Sequence, residues 1–178
     1  ESPAAESNQI QLINTASSGT CYWHQVEVLN NLIDNPSLEG GAGNPWIPTG
    51  WTNGNAGSGD LTQELTTKYS GSSSIKINST FSNRAISTNT FTGLSSGDFV
   101  DLGGWVSKSS GGLYIDGNDN NIYQQNVTSI SGQDPYITGV ASWTLGKTVG
   151  RVGVTSPRLR IVGDSSPTGY IDDVYAVS

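Results

Sequence analysis

The sequence predicts an all-β protein, specifically an antiparallel β-sandwich. The chain has 178 residues, of which 23 are glycines and only 13% are charged. This composition suits short strands joined by polar turns. No window shows a convincing helical period, whereas many short segments alternate apolar and polar residues. Runs of Gly, Ser, Asn and Asp separate these segments at short intervals, as they do in antiparallel sandwiches.

Ten segments show the alternation expected of strands. They are Ile10–Ile13, Tyr22–Leu29, Ser74–Asn78, Ala85–Phe91, Phe99–Ser107, Gly112–Ile115, Ile122–Val127, Thr148–Val154, Leu159–Val162 and Tyr170–Val177. Turns are predicted between them, among others at residues 109–112 and 163–169. Residues 61–69 fit both the spacing of a helix and the alternation of a strand, so either structure is compatible with them.

An internal similarity bears on the domain organisation. Residues 10–29 and 159–177 both read as a hairpin, with an apolar strand, a loop of Ser, Thr and Gly, and a second strand that begins at a tyrosine. One interpretation is that residues 1–29 end a preceding copy and residues 30–178 form a whole module. The other is that both hairpins belong to one sandwich, since a lone hairpin is only marginally stable. Because the chain starts at Glu1 and contains no Met, we also expect a processed product or a piece of a longer protein.

The charge of the chain excludes two classes of partner. The formal net charge is −7, and the eight Lys and Arg residues do not cluster in the sequence. Such a chain repels phosphate backbones and anionic lipid surfaces, so we expect no nucleic-acid partner and no membrane insertion. No segment is long and apolar enough for a transmembrane helix. A single cysteine rules out an internal disulfide framework.

The residues needed for catalysis are scarce. Nucleophilic catalysis relies on a base beside the nucleophile, most often histidine, and His24 is the only histidine. Together with Cys21 it gives too few ligands for a zinc site. A glycosidase needs two carboxylates that face each other across a cleft, whereas the aspartates here lie mostly in predicted turns. We therefore expect no enzyme.

Five motifs follow one another in an order that one family of β-sandwiches shares. They are residues 31–40 (NLIDNPSLEG), the Gly50–Trp51 pair, residues 69–77 (YSGSSSIKI), residues 97–106 (GDFVDLGGWV) and residues 170–174 (YIDDV). In this order they resemble the jelly-roll carbohydrate-binding modules of families 4, 9, 16 and 22. Each motif is weak alone, but together they span most of the chain.

The resemblance implies a jelly roll of the galactose-binding-like type, with Leu38 where the family more often has Phe. It also implies a non-catalytic module of an extracellular polysaccharide-active protein, either secreted or on the cell surface, with a polysaccharide or cell-surface glycan as its partner. The same fold occurs in phage virions. The alternative is therefore a structural or receptor-binding domain of a tail fibre or capsid, which would contact other copies of itself or other virion proteins.

Sugar binding in such modules rests on aromatic rings that stack on sugar faces and on amides that hydrogen-bond to hydroxyl groups. The candidate carbohydrate-binding residues are Trp46, Trp51, Tyr114, Tyr123, Gln125 and Tyr136. They lie in or near loops and turns rich in Pro, Gly, Asn, Asp and Gln. For each aromatic residue, packing in the interior is the alternative. Trp105 and Trp143 lie in alternating strands and are predicted to belong to the core.

The resemblance also implies one structural calcium ion. Its ligands would be Glu39 of the opening motif and Asp172 or Asp173 of the closing motif, together with loop carbonyls, because calcium prefers oxygen ligands. Consecutive strand residues point to opposite faces, so only one of the two aspartates is expected to turn inward. The alternative is an aspartate that caps a loop.

Overall fold

Antiparallel strands make up all of the regular secondary structure in the part of the chain that the computed structural model describes. That part comprises residues 31–116, 122–124, 142–152 and 157–178. The strands are β1 (Gly41–Ala42), β2 (Ile47–Pro48), β3 (Trp51–Asn53), β4 (Leu61–Glu64), β5 (Ser74–Ile77), β6 (Arg84–Thr88), β7 (Phe99–Asp116), β8 (Ile122–Gln124), β9 (Thr144–Val152) and β10 (Arg160–Val177). The predicted all-β class is confirmed. Within the described residues, no helix is long and apolar enough to cross a bilayer.

Two long strands, β7 and β10, organise the fold. Each has 18 residues, and they pair antiparallel with each other from one end to the other. The first half of β10 also pairs with β6, and its second half pairs with β5. Strands β3 to β10 are joined by hydrogen bonds into one eight-stranded sheet, which the register shift in β7 and β10 divides into two halves. We call one half sheet I; it consists of β3, β6, the first half of β10 and the second half of β7. The other half, sheet II, consists of β4, β5, the second half of β10, the first half of β7, β9 and β8.

The turns predicted at residues 109–112 and 163–169 were wrong. Both segments lie inside the long strands, where the pairing of β7 with β10 shifts register between Asp164 and Thr168. Gly111 and Ser165 have positive φ angles of 67° and 52°, the backbone conformation of bulges as well as of tight turns. Gly and Ser therefore marked a bend that passes both strands from one sheet to the other without ending them.

The remaining strand predictions mostly hold with shifted ends. The predicted strands at residues 74–78, 85–91 and 148–154 correspond to β5, β6 and β9. The ambiguous segment begins as β4 and then turns, because the Glu64 carboxylate accepts the backbone N–H of Thr66 at 2.7 Å. The short strands β1, β2 and β3 were not predicted, since two or three residues are too few to show a period. The predicted hairpin of residues 1–29 lies outside the described residues.

One apolar core lies between the two sheets. It takes alternate residues from strands of both, for example Ile86 and Ile161 from sheet I and Val106 and Ile171 from sheet II. All four side chains are fully buried. Burial of such a side chain contributes about 1.5–3 kcal/mol to the free energy of folding. Leu38 is also fully buried, so it fills the position where the family more often has Phe.

Candidate functional site

An open cavity lies on the outer face of sheet I. Its volume is about 390 Å³, and its walls come from β3 with the loop after it, from β6, and from the start of β10. Thr52 of β3 pairs with Ser87 of β6, which in turn pairs with Arg160 of β10. These three residues form a row across the sheet, opposite the buried residues that precede or follow them. We call this the sheet I cavity.

The loop that closes one side of this cavity is held by asparagine side chains. Asn53 accepts the N–H of Ala56 at 2.8 Å and donates to its carbonyl at 3.0 Å. Asn55 accepts the N–H of Ala85 at 2.6 Å and donates to the carbonyl of Asn83 at 3.2 Å. The two amides are engaged within the protein, so they give the cavity a fixed wall.

Two arginines bring positive charge to the cavity. Arg158 and Arg160 flank the fully buried Leu159, whose backbone is fixed on β6 by hydrogen bonds with Thr88 of 2.9 and 3.1 Å. Within the described residues, the Nε of Arg158 is buried and finds no hydrogen-bond partner, whereas Arg160 does have an interaction partner. No carboxylate belongs to the lining as the structure describes it, although the chain as a whole carries a net charge of −7. The cavity therefore presents mainly hydrogen-bond donors and hydroxyl groups.

The outer face of sheet II is different, because an aromatic cluster lies on it. The rings of Tyr69 and Trp105 are stacked, with centroids 3.9 Å apart and an angle of 13°. The ring centroid of Trp143 lies 6.0 Å from that of Tyr69, in an edge-on arrangement. It lies 6.4 Å from that of Tyr170, with the two rings tilted by 51°. Tyr69 is 43% exposed, and Leu145 beside Trp105 is 41% exposed. We call these four rings the aromatic cluster.

The prediction that Trp105 and Trp143 belong to the core was wrong. Trp105 lies between Gly104 and Val106, which both point inward, so its ring points to the outer face of sheet II. The ring of Tyr69, in the segment that follows β4, stacks on the Trp105 ring and covers part of it. Alternation defines two faces of a strand, but the chain that folds over each face decides how much of it is buried.

Asp172 anchors that covering segment to sheet II. Its side chain is 0% exposed, and its Oδ2 accepts the backbone N–H groups of Tyr69 at 2.8 Å and of Ser70 at 3.1 Å. Its Oδ1 accepts the N–H of Asp173 at 2.8 Å, and Asp173 in turn accepts the hydroxyl of Ser70 at 2.7 Å. Burial raises the pKa of Asp172 above its usual value, although these N–H groups act against the rise.

Glu39 anchors the same segment from the other side. Its Oε1 accepts the N–H groups of Ser72 at 2.6 Å and of Ser73 at 3.3 Å, and its Oε2 accepts the hydroxyls of both serines. Partial burial would raise the pKa of Glu39, but the bonds from Ser72 and Ser73 outweigh it and lower the pKa. Gly71 is needed between the two anchors, because its φ is 60° and a Cβ atom there would collide with the Glu39 carboxylate.

These contacts bear on the predicted calcium ligands Glu39, Asp172 and Asp173. Calcium takes about 6–8 oxygen ligands, whereas the groups that surround these carboxylates are N–H and O–H donors. Among the described residues, no three acidic, His or Cys side chains come together. As they stand, the residues do not fit a cation, and they match the alternative of an aspartate that caps a loop. Calcium binding itself stays a prediction.

Trp46 and Trp51 do not form the exposed stacking platform expected of sugar-binding residues. Each is only 8% exposed and belongs to the core. The backbone N–H of Trp46 donates to the backbone carbonyl of Leu61 at 3.0 Å. The indole of Trp46 packs against Gly41. The Nε1 of Trp51 is buried and has no hydrogen-bond partner among the residues that the structure describes. Their indole faces are thus used for packing.

The other predicted sugar-binding residues are described only in part. The backbone of Tyr114 lies in β7 opposite Val162, within sheet I, and that of Tyr123 lies in β8 opposite Arg151. Gln125 and Tyr136 lie outside the described residues. These four stay candidates.

The polar residues of the sheet I cavity were not predicted from the sequence. The alternation of Arg158, Leu159, Arg160 and Ile161 nevertheless places the two arginines on one face of the strand.

Comparisons with known proteins agree with this architecture. No protein-family model and no curated protein matches the sequence. The fold is similar to the CBM22-1 xylan-binding domain of Xyn10C from Paenibacillus barcinonensis (TM-score 0.52, 14% identity, 86% of this chain and 97% of that one). It is also similar to a candidate sugar-binding protein of Bacteroides thetaiotaomicron (0.54, 15%, 84% and 100%). A third similar structure is the enzymatically active domain of tailspike protein 4 of bacteriophage CBA120 (0.53, 17%, 83% and 21%). The chain thus has the jelly-roll β-sandwich fold of the carbohydrate-binding modules that its motifs resemble.

Proposed function

We propose that this chain is an extracellular, non-catalytic module that binds a polysaccharide or cell-surface glycan in the sheet I cavity. The observation that carries the proposal is the convergence of Thr52, Ser87, Arg158 and Arg160 on one open cavity of about 390 Å³. Ligand cavities usually measure about 300–1,000 Å³ and combine a small number of polar groups with an apolar floor. Ala85 supplies apolar surface here, whereas the side chain of Ile86 is fully buried in the core.

The chemistry of the lining suits sugar hydroxyl groups and, in particular, acidic sugars. Hydroxyl side chains both donate and accept hydrogen bonds, whereas a guanidinium group only donates and matches a carboxylate with two parallel bonds. Among the described residues, the buried Nε of Arg158 has no hydrogen-bond partner and no carboxylate belongs to the lining, which favours a glycan that contains uronate or another carboxylate-bearing sugar. Tyr114 belongs to the same sheet and stays a candidate for contact with the ligand.

Binding without cleavage is the reaction class that this surface supports best. Hydrolysis of a glycosidic bond uses two carboxylates separated by about 5–10 Å. Within the described residues, the lining of the cavity offers none, and Asp60 nearby is buried and paired with Arg84 at 3.3 Å. The carboxylates of Glu39 and Asp172 accept hydrogen bonds in the other half of the molecule.

The proposal is tested with Arg158→Ala and a panel of neutral and uronate-containing polysaccharides. Affinity gel electrophoresis would find the ligand, and titration calorimetry with an oligosaccharide would follow. We expect at least about tenfold weaker binding, because a charge-assisted hydrogen bond is lost. Arg151→Ala is the matched control, since Arg151 lies on β9 and donates to the carbonyl of Gly97 at 2.9 Å.

A second, milder variant tests the same cavity in case Arg158→Ala does not fold. Thr52 is exposed, so Thr52→Val removes only a hydroxyl group from the cavity and is expected to weaken binding severalfold. Circular dichroism would establish that each variant is folded. Equal affinity of Arg158→Ala, Thr52→Val and the wild type for the bound glycan would contradict the assignment of the cavity.

A virion domain is the second candidate function. The observation in its favour is the similarity to the domain of a phage tailspike protein, which itself extends only to the fold. A tail-fibre or capsid domain would associate with copies of itself or with other virion proteins. Size-exclusion chromatography with light scattering tests this: a stable oligomer would support the virion domain, and a monomer at all concentrations would support the free-standing module.

A further inference from the structure

Residues 69–73 rest on sheet II through the two acidic side chains that the family resemblance assigns to calcium. The carboxylate of Asp172 accepts two backbone N–H groups of this segment at 2.8 and 3.1 Å. The carboxylate of Glu39 accepts two more at 2.6 and 3.3 Å. We propose that Glu39 and Asp172 hold this segment by N–H donors, without a divalent cation, and so fix the ring of Tyr69 on Trp105.

The direction of the peptide groups supports this assignment. In a trans peptide the N–H and C=O groups point in opposite directions, and the only cis peptide bond among the described residues is Asn44–Pro45. The peptide groups whose N–H groups reach the carboxylates therefore direct their oxygens away from them. Those oxygens belong to Lys68, Tyr69, Gly71 and Ser72.

A cation between these carboxylates would thus meet the positive ends of the backbone dipoles. It would lack the loop carbonyls that complete a calcium site, because four of the segment's peptide groups point the wrong way. The N–H groups also compensate the negative charge of Asp172, which is fully buried and would be costly without partners. The same hydrogen bonds that replace the cation position the backbone of Tyr69, so the anchors determine where its ring lies.

Calorimetry of the wild-type chain tests the role of the cation directly. We expect the same Tm in excess EDTA and in excess Ca²⁺, because a ligand that binds only the native state would raise the Tm. We also expect no heat of binding when Ca²⁺ is titrated into the EDTA-treated and desalted protein. A Tm that falls in EDTA and recovers with Ca²⁺ would overturn the proposal without any variant.

Variants of the anchor test its positioning role. Asp172→Ala should lower the Tm by roughly 5–10 °C and should reduce the near-ultraviolet circular dichroism of the Tyr69–Trp105 stack, since three hydrogen bonds are lost. Asp172→Asn should retain most of this signal, because its amide oxygen still accepts N–H groups. Asp173→Asn is the matched control, since Asp173 accepts only the hydroxyl of Ser70 from the segment and Asn tolerates the φ of 42° at this position.

The remaining outcomes are also decisive. If Asp172→Ala does not fold, Glu39→Ala removes the second anchor and is read with the same spectroscopic signal. Glu39→Gln is its conservative counterpart and should retain most of the signal, because the amide oxygen still accepts the two N–H groups. Unchanged spectra and Tm in Asp172→Ala or in Glu39→Ala would overturn the positioning role. Glycan binding at the sheet I cavity is expected to be the same in EDTA and in Ca²⁺, so failure of this inference would leave the proposed function intact.

Discussion

The outer faces of the two sheets are built from the same pair of strands and nevertheless differ in kind. β7 and β10 pass through both sheets, with similar alternation in each half. On sheet I their outer face borders an open cavity with arginine and hydroxyl side chains. On sheet II residues 65–73 fold over the face, and aromatic rings pack beneath and beside them. One face is thus available to a ligand, while the other is largely used for stability.

Trp105→Ala should produce the largest effect on the sheet II side of this comparison. The ring is partly buried under Tyr69, so its loss should reduce the free energy of unfolding by about 3 kcal/mol. Urea denaturation followed by circular dichroism measures this. Glycan affinity should be unchanged; a variant of wild-type stability with reduced glycan affinity would reverse the roles of the two faces.

Gly103→Ala tests how closely the sheet II face is packed. A Cβ atom at Gly103 would lie 2.5 Å from the ring of Tyr175 and 2.7 Å from the carbonyl oxygen of Gly146. Tyr175 donates to Asp101 at 3.2 Å, and burial, with the Asp101 charge, raises the pKa of Tyr175 to about 12. Displacement of this ring should cost about 2 kcal/mol in a thermal or urea unfolding experiment. Gly59→Asn is the control, because nothing lies near a Cβ atom there and Asn tolerates the φ of 78° better than most side chains; its cost should stay below about 1 kcal/mol.

Arg158→Leu should separate binding from stability on the sheet I side. It removes a buried Nε that has no hydrogen-bond partner in the described part of the chain, so the free energy of unfolding should change by less than about 1 kcal/mol in either direction. Glycan affinity should nevertheless fall at least about tenfold, as for the alanine variant. A loss of several kcal/mol would mean that this arginine is structural, and the contrast between the two faces would then disappear.

Tyr69→Phe should have the smallest effect. The stacked ring is retained and its hydroxyl makes no described hydrogen bond, so we expect a change below about 0.5 kcal/mol. Tyr69→Ala, in comparison, should lose the stacking energy of about 0.5–1.5 kcal/mol. Measured in parallel by urea denaturation, equal losses in both variants would show that the hydroxyl rather than the ring stabilises the face.

The sequence was informative about local structure and about the family resemblance. The strand patterns at residues 74–78, 85–91 and 99–107 and the closing motif at 170–174 all correspond to observed strands. It was less informative about the ends of strands, because Gly and Ser at residues 109–112 and 163–169 permit a bulge as readily as a turn. Among the aromatic residues near turns that the sequence offers as sugar-binding candidates, Trp46 and Trp51 are buried in the core.

Composition and periodicity by themselves determined the all-β class and the two faces of each strand, since both depend only on neighbours along the chain. That Glu39 lies near Asp172 or Asp173 was implied only by the resemblance to carbohydrate-binding modules, and not by composition or periodicity. Only the tertiary structure decided which outer face is covered. It brought Tyr69 and Ser70 onto Asp172, more than a hundred positions away, and left Thr52, Ser87 and the two arginines around an open cavity. The reason is that alternation sets the direction of a side chain, whereas its burial depends on distant segments that the fold packs against it.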